Sequence, residues 1–277
     1  MKILYFSDIH GEIRESETRI PWISDYPLDL GPCLKSYIGS VDLVIMAGDI
    51  ATIRERREVS TLNYAAQVAS YLGCHVIVVP GNHEYYGGVF ETDRRDLLAA
   101  KVENVTVLDR HEAVFEFGGK GLRVLGATLW TDYRACGDQA LAMLDARGSL
   151  NDHRTIRNPD GSYFAPQQAL AEHELSRAWL LDKIRTSFDG FTLVATHHVP
   201  HSAARHPLYG MNRLSPMFYS DCNDLIEAAS EMGVAGMIFG HHHWSMAIDV
   251  AGVPLLSAQF GYPREKTNWI GPGVLDL

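Results

Sequence analysis

The sequence predicts an α/β fold built around a mixed sheet, and three observations carry the prediction. Short apolar runs rich in β-branched and aromatic residues recur at 2–6, 41–46, 75–79, 191–195 and 234–239, the lengths and compositions of buried strands. Helix-like stretches lie between them, clearest at 60–72 and 166–188. Two pairs of segments flank glycine-containing turns: 113–117 with 122–129 around Gly118-Gly119-Lys120-Gly121, and 245–250 with 253–258 around Ala251-Gly252. Such pairs are antiparallel hairpins, so parallel and antiparallel strands are expected together.

The helix at 60–72 is followed by Gly73, at the position of a C-cap glycine, and the next strand begins directly after it. In 166–188 an apolar face of Leu170, Trp179, Leu180 and Ile184 stands among charged residues. The stretch 133–166 is polar and turn-rich, with Arg147-Gly148, Asn151-Asp152 and Asn158-Pro159-Asp160-Gly161, and reads as a long excursion, either a lid or a surface loop. No repeat, low-complexity tract or linker divides the chain, so 1–277 is expected to form a single domain.

Composition removes several function classes. With 277 residues, 46% hydrophobic and 21% charged, the chain is long enough to bury a sizeable core, and disorder is ruled out for most of it. No apolar run approaches the roughly 18–20 residues of a membrane helix, and 1–6 is too short for a secretory signal, so a soluble cytoplasmic protein with no membrane partner is expected. Lys and Arg total 24 against 34 Asp and Glu, a net charge of −10 that disfavours duplex nucleic acid as a partner. Cys33, Cys74, Cys136 and Cys222 are scattered without a CxxC pair, which excludes a cysteine zinc site and a disulfide framework. Oligomeric state leaves no readable signal. The 13 histidines are informative through their positions.

Each predicted buried strand runs into a polar cluster: Ser7-Asp8-Ile9-His10-Gly11, Ala47-Gly48-Asp49, Pro80-Gly81-Asn82-His83-Glu84, Thr196-His197-His198 and Gly240-His241-His242-His243. If the strands share one largely parallel region, these clusters converge at its C-terminal edge, where open α/β sheets bind ligands. Carboxylate, imidazole and amide oxygen suit hard or borderline divalent metals, and thiolates are missing from every cluster. The candidates Asp8, His10, Asp49, Asn82, His197, His241 and His243 exceed the four ligands of one tetrahedral ion. Two divalent ions are therefore expected, of Mn, Fe, Zn, Ni or Co. Asp49 would bridge them, Asp8, His10 and His243 would complete one site, and Asn82, His197 and His241 the other. Gly48, Gly81 and Gly240 each precede a ligand and are expected to let the backbone turn sharply there. With two carboxylates against two dications the site is left at roughly +2 and attracts an anion such as a phosphate ester. Two metals about 3.5–4 Å apart hold a bridging hydroxide that attacks phosphorus in line. His83, beside Asn82 but outside the ligand set, is assigned as the catalytic residue that binds a phosphoryl oxygen or protonates the leaving alkoxide.

Asp8-Ile9-His10, Gly48-Asp49, Gly81-Asn82-His83-Glu84, His197 and Gly240-His241-His242-His243, in this order and each after a predicted strand, resemble the motif set of the calcineurin-like metallophosphoesterases. The resemblance spans residues 8–243 but is carried by about a dozen positions. It implies a β-sandwich of two mixed sheets flanked by helices, a four-layer αββα arrangement with a dinuclear site at one edge, and hydrolysis of a phosphomonoester, phosphodiester or phosphoanhydride bond. Its pattern favours His197 and His241 as ligands over the neighbouring His198 and His242. Departures narrow the substrate. The Asp-Arg-Gly of the Ser/Thr protein phosphatases of this superfamily is absent after Asp49, where the chain continues Ile50-Ala51-Thr52-Ile53, and Tyr85-Tyr86 replaces the arginine that follows their Gly-Asn-His-Glu block. His197-His198-Val199-Pro200 resembles the fourth block of the bacterial phosphodiesterase branch. A monoanionic diester also needs fewer cations than a dianionic monoester. A small phosphodiester or nucleotide is thus the expected substrate. A phosphomonoesterase of the same fold is the alternative, and a non-catalytic binding scaffold the competing class, disfavoured because every ligand is present.

The remaining candidates have plainer readings. Trp130, Asp132 and Tyr133 follow a strand and either line the cleft or pack. Arg213 either meets a phosphate or is a solvated arginine, and Arg54, Arg56 and Arg57 read as an exposed charge run. His75, His111, His153, His173, His201 and His206 are expected to be surface or locally hydrogen-bonded residues.

Overall fold

Two sheets packed face to face position everything else in the computed structural model, which describes residues 1–13, 31–53 and 60–277. Arg54, Arg56 and Arg57 lie outside the described residues. The strands are β1 (Lys2–Phe6), β2 (Leu43–Met46), β3 (His75–Val78), β4 (Val105–Val107), β5 (His111–Phe117), β6 (Lys120–Ala127), β7 (Phe191–Thr196), β8 (Gly236–Ile238), β9 (Met246–Val250), β10 (Val253–Ser257) and β11 (Gly273–Asp276). The helices are α1 (Gly31–Leu34), α2 (Thr61–Leu72), α3 (Phe90–Ala99), α4 (Gln139–Ser149), α5 (Asp152–Thr155), α6 (Pro166–Arg185) and α7 (Asn223–Glu231).

The first sheet has the order β11-β1-β2-β3-β4, parallel throughout except for β11, and the second β5-β6-β7-β8-β10-β9, with antiparallel pairs at its two edges. The five apolar runs therefore do not share one parallel region. Three enter the first sheet and two the second. Side-chain alternation explains the layering. Leu122, Val124, Leu193 and Ala195 join the core shared with the first sheet, while Leu125, Ala127 and Val194 face outward onto Leu180 and Ile184 of α6 and Leu225, Ala228 and Ala229 of α7. On the other side α2 buries Tyr64, Ala65, Val68 and Leu72, at helical spacing, in the core of the first sheet. This is the expected sandwich of two mixed sheets flanked by helices.

Local chemistry sets the boundaries. Ser60 caps α2 by accepting from the Asn63 amide at 3.3 Å, and Gly73 ends it at φ +71°, donating to the Ala69 carbonyl at 2.9 Å. Helix α6 stops at Arg185 rather than at residue 188, because the chain turns at Thr186 and Phe188 leaves to lie 5.1 Å from the Arg123 guanidinium. Both hairpins turn through two residues of positive φ, Gly118-Gly119 and Ala251-Gly252, so Lys120 and Gly121 belong to β6. Segment 133–166 carries α4 and α5 and a satellite apolar core in which Tyr133, Ala142, Ala146, Ile156 and Phe164 pack on Tyr85, Phe90 and Trp130. Trp130 and Tyr133 are thus packing residues. Among the described residues no helix is long and apolar enough to cross a membrane.

Candidate metal centre

The polar clusters leave the two sheets at the same edge and are stitched together by backbone hydrogen bonds: Asp8 N to Gly48 O at 3.0 Å, His10 N to Asp49 O at 3.0 Å, and Gly240 N to His197 O at 2.9 Å. Asp8, His10, Asp49, His241 and His243 all adopt positive φ, between 51° and 83°. Non-glycine residues rarely tolerate this conformation, and it persists where surrounding contacts over-determine it, which is common at functional sites. Glu84 supplies much of that constraint. Its buried carboxylate accepts from the amides of Asp49 (3.0 Å), Ile50 (2.9 Å) and Gly81 (2.7 Å) and from the Thr61 hydroxyl (3.0 Å), locking two ligand loops together. Gly81 serves by close approach rather than by a turn: its φ is not positive, but a Cβ there would overlap the Asp49 carboxylate and lie 2.7 Å from the Asp49 nitrogen.

All eight residues singled out in the sequence are buried and come together here. Asp8, His10 and His243 form one group with ligand atoms within 4.8 Å of one another, and Asp49, His197 and His241 form another. Asn82 Oδ1 joins the second group, 3.0 Å from His197 Nε2. The carboxylate of Asp49 lies between the groups, one oxygen 3.9 Å from His10 Nε2 and the other 3.4 Å from His197 Nε2.

The imidazoles are oriented from outside. His197 Nδ1 donates to the Ala47 carbonyl at 2.8 Å, His241 Nε2 to the Met217 carbonyl at 3.3 Å and His243 Nδ1 to Glu265 at 2.5 Å, while His10 Nδ1 faces Glu12 at 3.6 Å. A carbonyl or carboxylate only accepts, so the proton sits on the outer nitrogen and the inner one keeps its lone pair. These inner nitrogens meet in pairs, His10 Nε2 and His243 Nε2 at 2.9 Å and His197 Nε2 and His241 Nδ1 at 3.1 Å. Two lone pairs at that distance repel unless positive charge lies between them, and the nitrogen and oxygen donors suit a borderline divalent cation. The residues therefore fit metal ions.

Proton affinities tell the same story. Burial disfavours charge on all four imidazoles, yet Asp8 and Glu265 raise His243 to about 10 and Asp49 raises His197 to about 9. Their partners His10 and His241 are lowered by burial and by neighbouring imidazoles, His83 and His198 respectively. Each pair thus takes up one extra proton at its inner nitrogens, in the place where a cation would otherwise sit, and Asp8 and Asp49, despite burial, stay ionised below the usual carboxylate range through these histidines.

The neighbours are excluded by direction. His242 Nε2 donates to the Ala204 carbonyl at 2.8 Å and its other nitrogen accepts from the Trp244 amide, so its ring is turned away. His198 stacks on His241, ring centroids 4.0 Å apart, with Nδ1 near the Thr128 carbonyl. Arg213 is paired with Asp145 on the surface. His153 and His173 are buried and bonded to backbone carbonyls, and His206 stands in the pocket wall.

His83 lies beside both groups, Nε2 3.9 Å from Asp49 and 3.3 Å from the Tyr262 hydroxyl, with Nδ1 2.7 Å from Glu12. Burial opposes its protonation, but Asp49 and Glu12 outweigh burial and raise its pKa, while Glu12 is held down at about 2 by His10 and His83 against its own burial. Sequence reasoning gave no role to Glu12, two positions after His10, although that spacing was a usable signal. Nor did it find Asp152, which accepts from the Asn82 amide at 2.8 Å and from the Tyr86 hydroxyl at 2.6 Å. Its polar loop context carried no signal. Above the metal groups opens a pocket of about 450 Å³.

A family model for calcineurin-like phosphoesterases matches residues 1–245. An uncharacterized protein of Acanthamoeba polyphaga mimivirus is 19% identical over 217 residues, 73% of each chain. Among solved structures, a phosphopantetheinyl hydrolase from Mycobacterium tuberculosis aligns over 95% of this chain and 90% of its own, with a TM-score of 0.69 at 16% identity, a likeness of fold. With a match over most of its length and buried groups suited to metal at the edge of this sandwich, the chain belongs to the calcineurin-like phosphoesterase family.

Proposed function

We propose that the protein hydrolyses a small phosphodiester or nucleotide with two divalent ions, Asp8, His10 and His243 holding one, Asn82, His197 and His241 the other, and Asp49 shared. The observation that carries this reading is the pair of inward-facing nitrogen couples, each beside a carboxylate, at the floor of the pocket. When bound, the ions supply Lewis-acid charge for the phosphoryl oxygens and an activated water.

The chain's own residues do the rest. His83 Nε2 points into the site and, with its pKa raised, holds a proton for the departing oxygen, while Glu12 fixes the ring through Nδ1. Tyr86 lies against the His83 ring, centroids 4.1 Å apart, and brings no positive charge to the site. Among the described lining residues Arg205 is the one Arg or Lys, and the walls include Tyr209, Leu214, Phe218 and Tyr219, with Asp152 and Glu265 also present. Beyond Asp49, one guanidinium, two further carboxylates and apolar walls suit a monoanion with a sizeable organic substituent better than a compact dianion. Hydrolysis of bis-p-nitrophenyl phosphate and p-nitrophenyl phosphate, compared with Mn²⁺ added and after chelation, tests this. Metal-dependent turnover favouring the diester is expected. A large monoester excess would overturn the substrate class, and no turnover with any divalent ion would overturn the enzyme.

A further inference from the structure

We infer that Asp152, on α5 within segment 133–166, is a positioning residue that sets the orientation of the Asn82 amide and thereby the metal affinity of that site. This rests on the proposed ligand role of Asn82. The geometry is directional. Asn82 Nδ2 donates to Asp152 Oδ1 at 2.8 Å and to the Tyr86 hydroxyl at 3.0 Å, and that hydroxyl donates to the same Asp152 oxygen at 2.6 Å. Both hydrogens of the amide are thus taken on one side. A carboxylate accepts and never donates, so the amide cannot flip without losing a bond and setting its oxygen against the Asp152 carboxylate. The consequence lies on the other side of the amide: Oδ1, the only side-chain atom of Asn82 that can bind a cation, is held 3.0 Å from His197 Nε2.

Asp152 is itself buried, and its helix is held by the satellite core through Ile156 and Phe164. A buried carboxylate is costly, and Asp152 offsets that cost with the Asn82 and Tyr86 hydrogens and with the neighbouring His83, whose protonation it favours. The excursion therefore reaches the metal centre through one side chain.

Asp152→Asn tests the idea because it keeps volume and one acceptor but adds a donor, which allows the Asn82 amide to turn its NH₂ inward. Metal-free full-length chain, titrated with Mn²⁺ and followed by the electron paramagnetic resonance signal of free Mn²⁺, should show about a 10-fold weaker site in Asp152→Asn and up to about 100-fold in Asp152→Ala, the range seen when a ligand's outer partner is removed. Tyr86→Phe should weaken it less. In an Asn82→Ala background Asp152→Asn should change nothing further, a result that a merely structural role would not give. Unchanged Mn²⁺ affinity in Asp152→Asn, or an equal loss in the Asn82→Ala background, would overturn the inference. Absence of Mn²⁺ binding by the unmodified chain would instead overturn the metal reading on which it rests.

Discussion

Glu12 joins a candidate metal ligand to the candidate acid. Its carboxylate lies 2.7 Å from His83 Nδ1 and 3.6 Å from His10 Nδ1, so one group faces the outer nitrogen of both a candidate ligand and the candidate acid. Glu12→Gln offers an amide that can present its NH₂ to His83, permitting the wrong tautomer. Turnover should fall by about 10²–10³, within the range for removing or misplacing a general acid, and by more for an ester with an alkoxide leaving group than for a nitrophenyl ester, whose leaving group needs no proton. His83→Ala should show the same leaving-group dependence with bound metal near normal, whereas Asn82→Ala should lose metal and activity together. Metal content per chain, measured beside kcat, separates the two, and loss of metal in His83→Ala would remove His83 from the role given to it. The eight site residues were legible because their types stand in short runs directly after apolar strands. Asp152 was not, because nothing in a polar loop says which side chain turns inward.

At the scale of elements the strands were legible and their division into sheets was not. Period-two alternation identifies a strand and its buried face, but a parallel pair within one sheet and two strands in stacked sheets present the same apolar run. Short or less apolar elements escaped altogether: β4 is three half-buried residues, and β11 pairs with β1 across nearly the whole chain, with Lys2 opposite Asp276. Helices α3 and α4 were hidden for a similar reason, since their buried faces are narrow; α4 buries only Ala142 and Ala146 along its length, whereas α7, which buries Leu225, Ile226, Ala228 and Ala229, escaped because it is only nine residues long. The excursion 133–166 reads as polar because most of it faces water, yet Phe164 is buried against Phe90 and Trp130, with ring centroids 4.7 and 5.1 Å away. Phe164→Ala should cost about 3–5 kcal/mol of stability through lost contact and the cavity left behind. Chemical denaturation should show a lowered midpoint, and a change of less than about 1 kcal/mol would mean that the excursion is not held by this core.

For the whole molecule the candidate metal centre concentrates buried charge and strained backbone that a bound cation would relieve. Asp8, Asp49 and Glu84 are buried carboxylates, two pairs of imidazole nitrogens meet at 2.9 and 3.1 Å, and five of these residues have backbone of positive φ. Such an arrangement is retained for function and not for stability. A ligand that binds the native state alone stabilises it by RT ln(1 + [L]/Kd), about 4 kcal/mol at roughly 1,000 times Kd, which for a chain of this size raises the melting temperature by on the order of 10 °C. Chelation should therefore lower the melting temperature by about that much, and Mn²⁺ should restore it. Asp49→Asn removes the candidate bridging carboxylate: the metal-dependent shift should nearly vanish, and the metal-free variant should melt below the metal-free parent at neutral pH, because the carboxylate that balances the proton on His197 is gone and an amide cannot replace it. Calorimetry of both chains with and without Mn²⁺ reads the two effects separately. A metal-free Asp49→Asn protein as stable as its metal-free parent would mean that the Asp49–His197 pairing contributes nothing to the fold, and a metal-dependent shift that survives the substitution would mean that Asp49 is not shared between two ions.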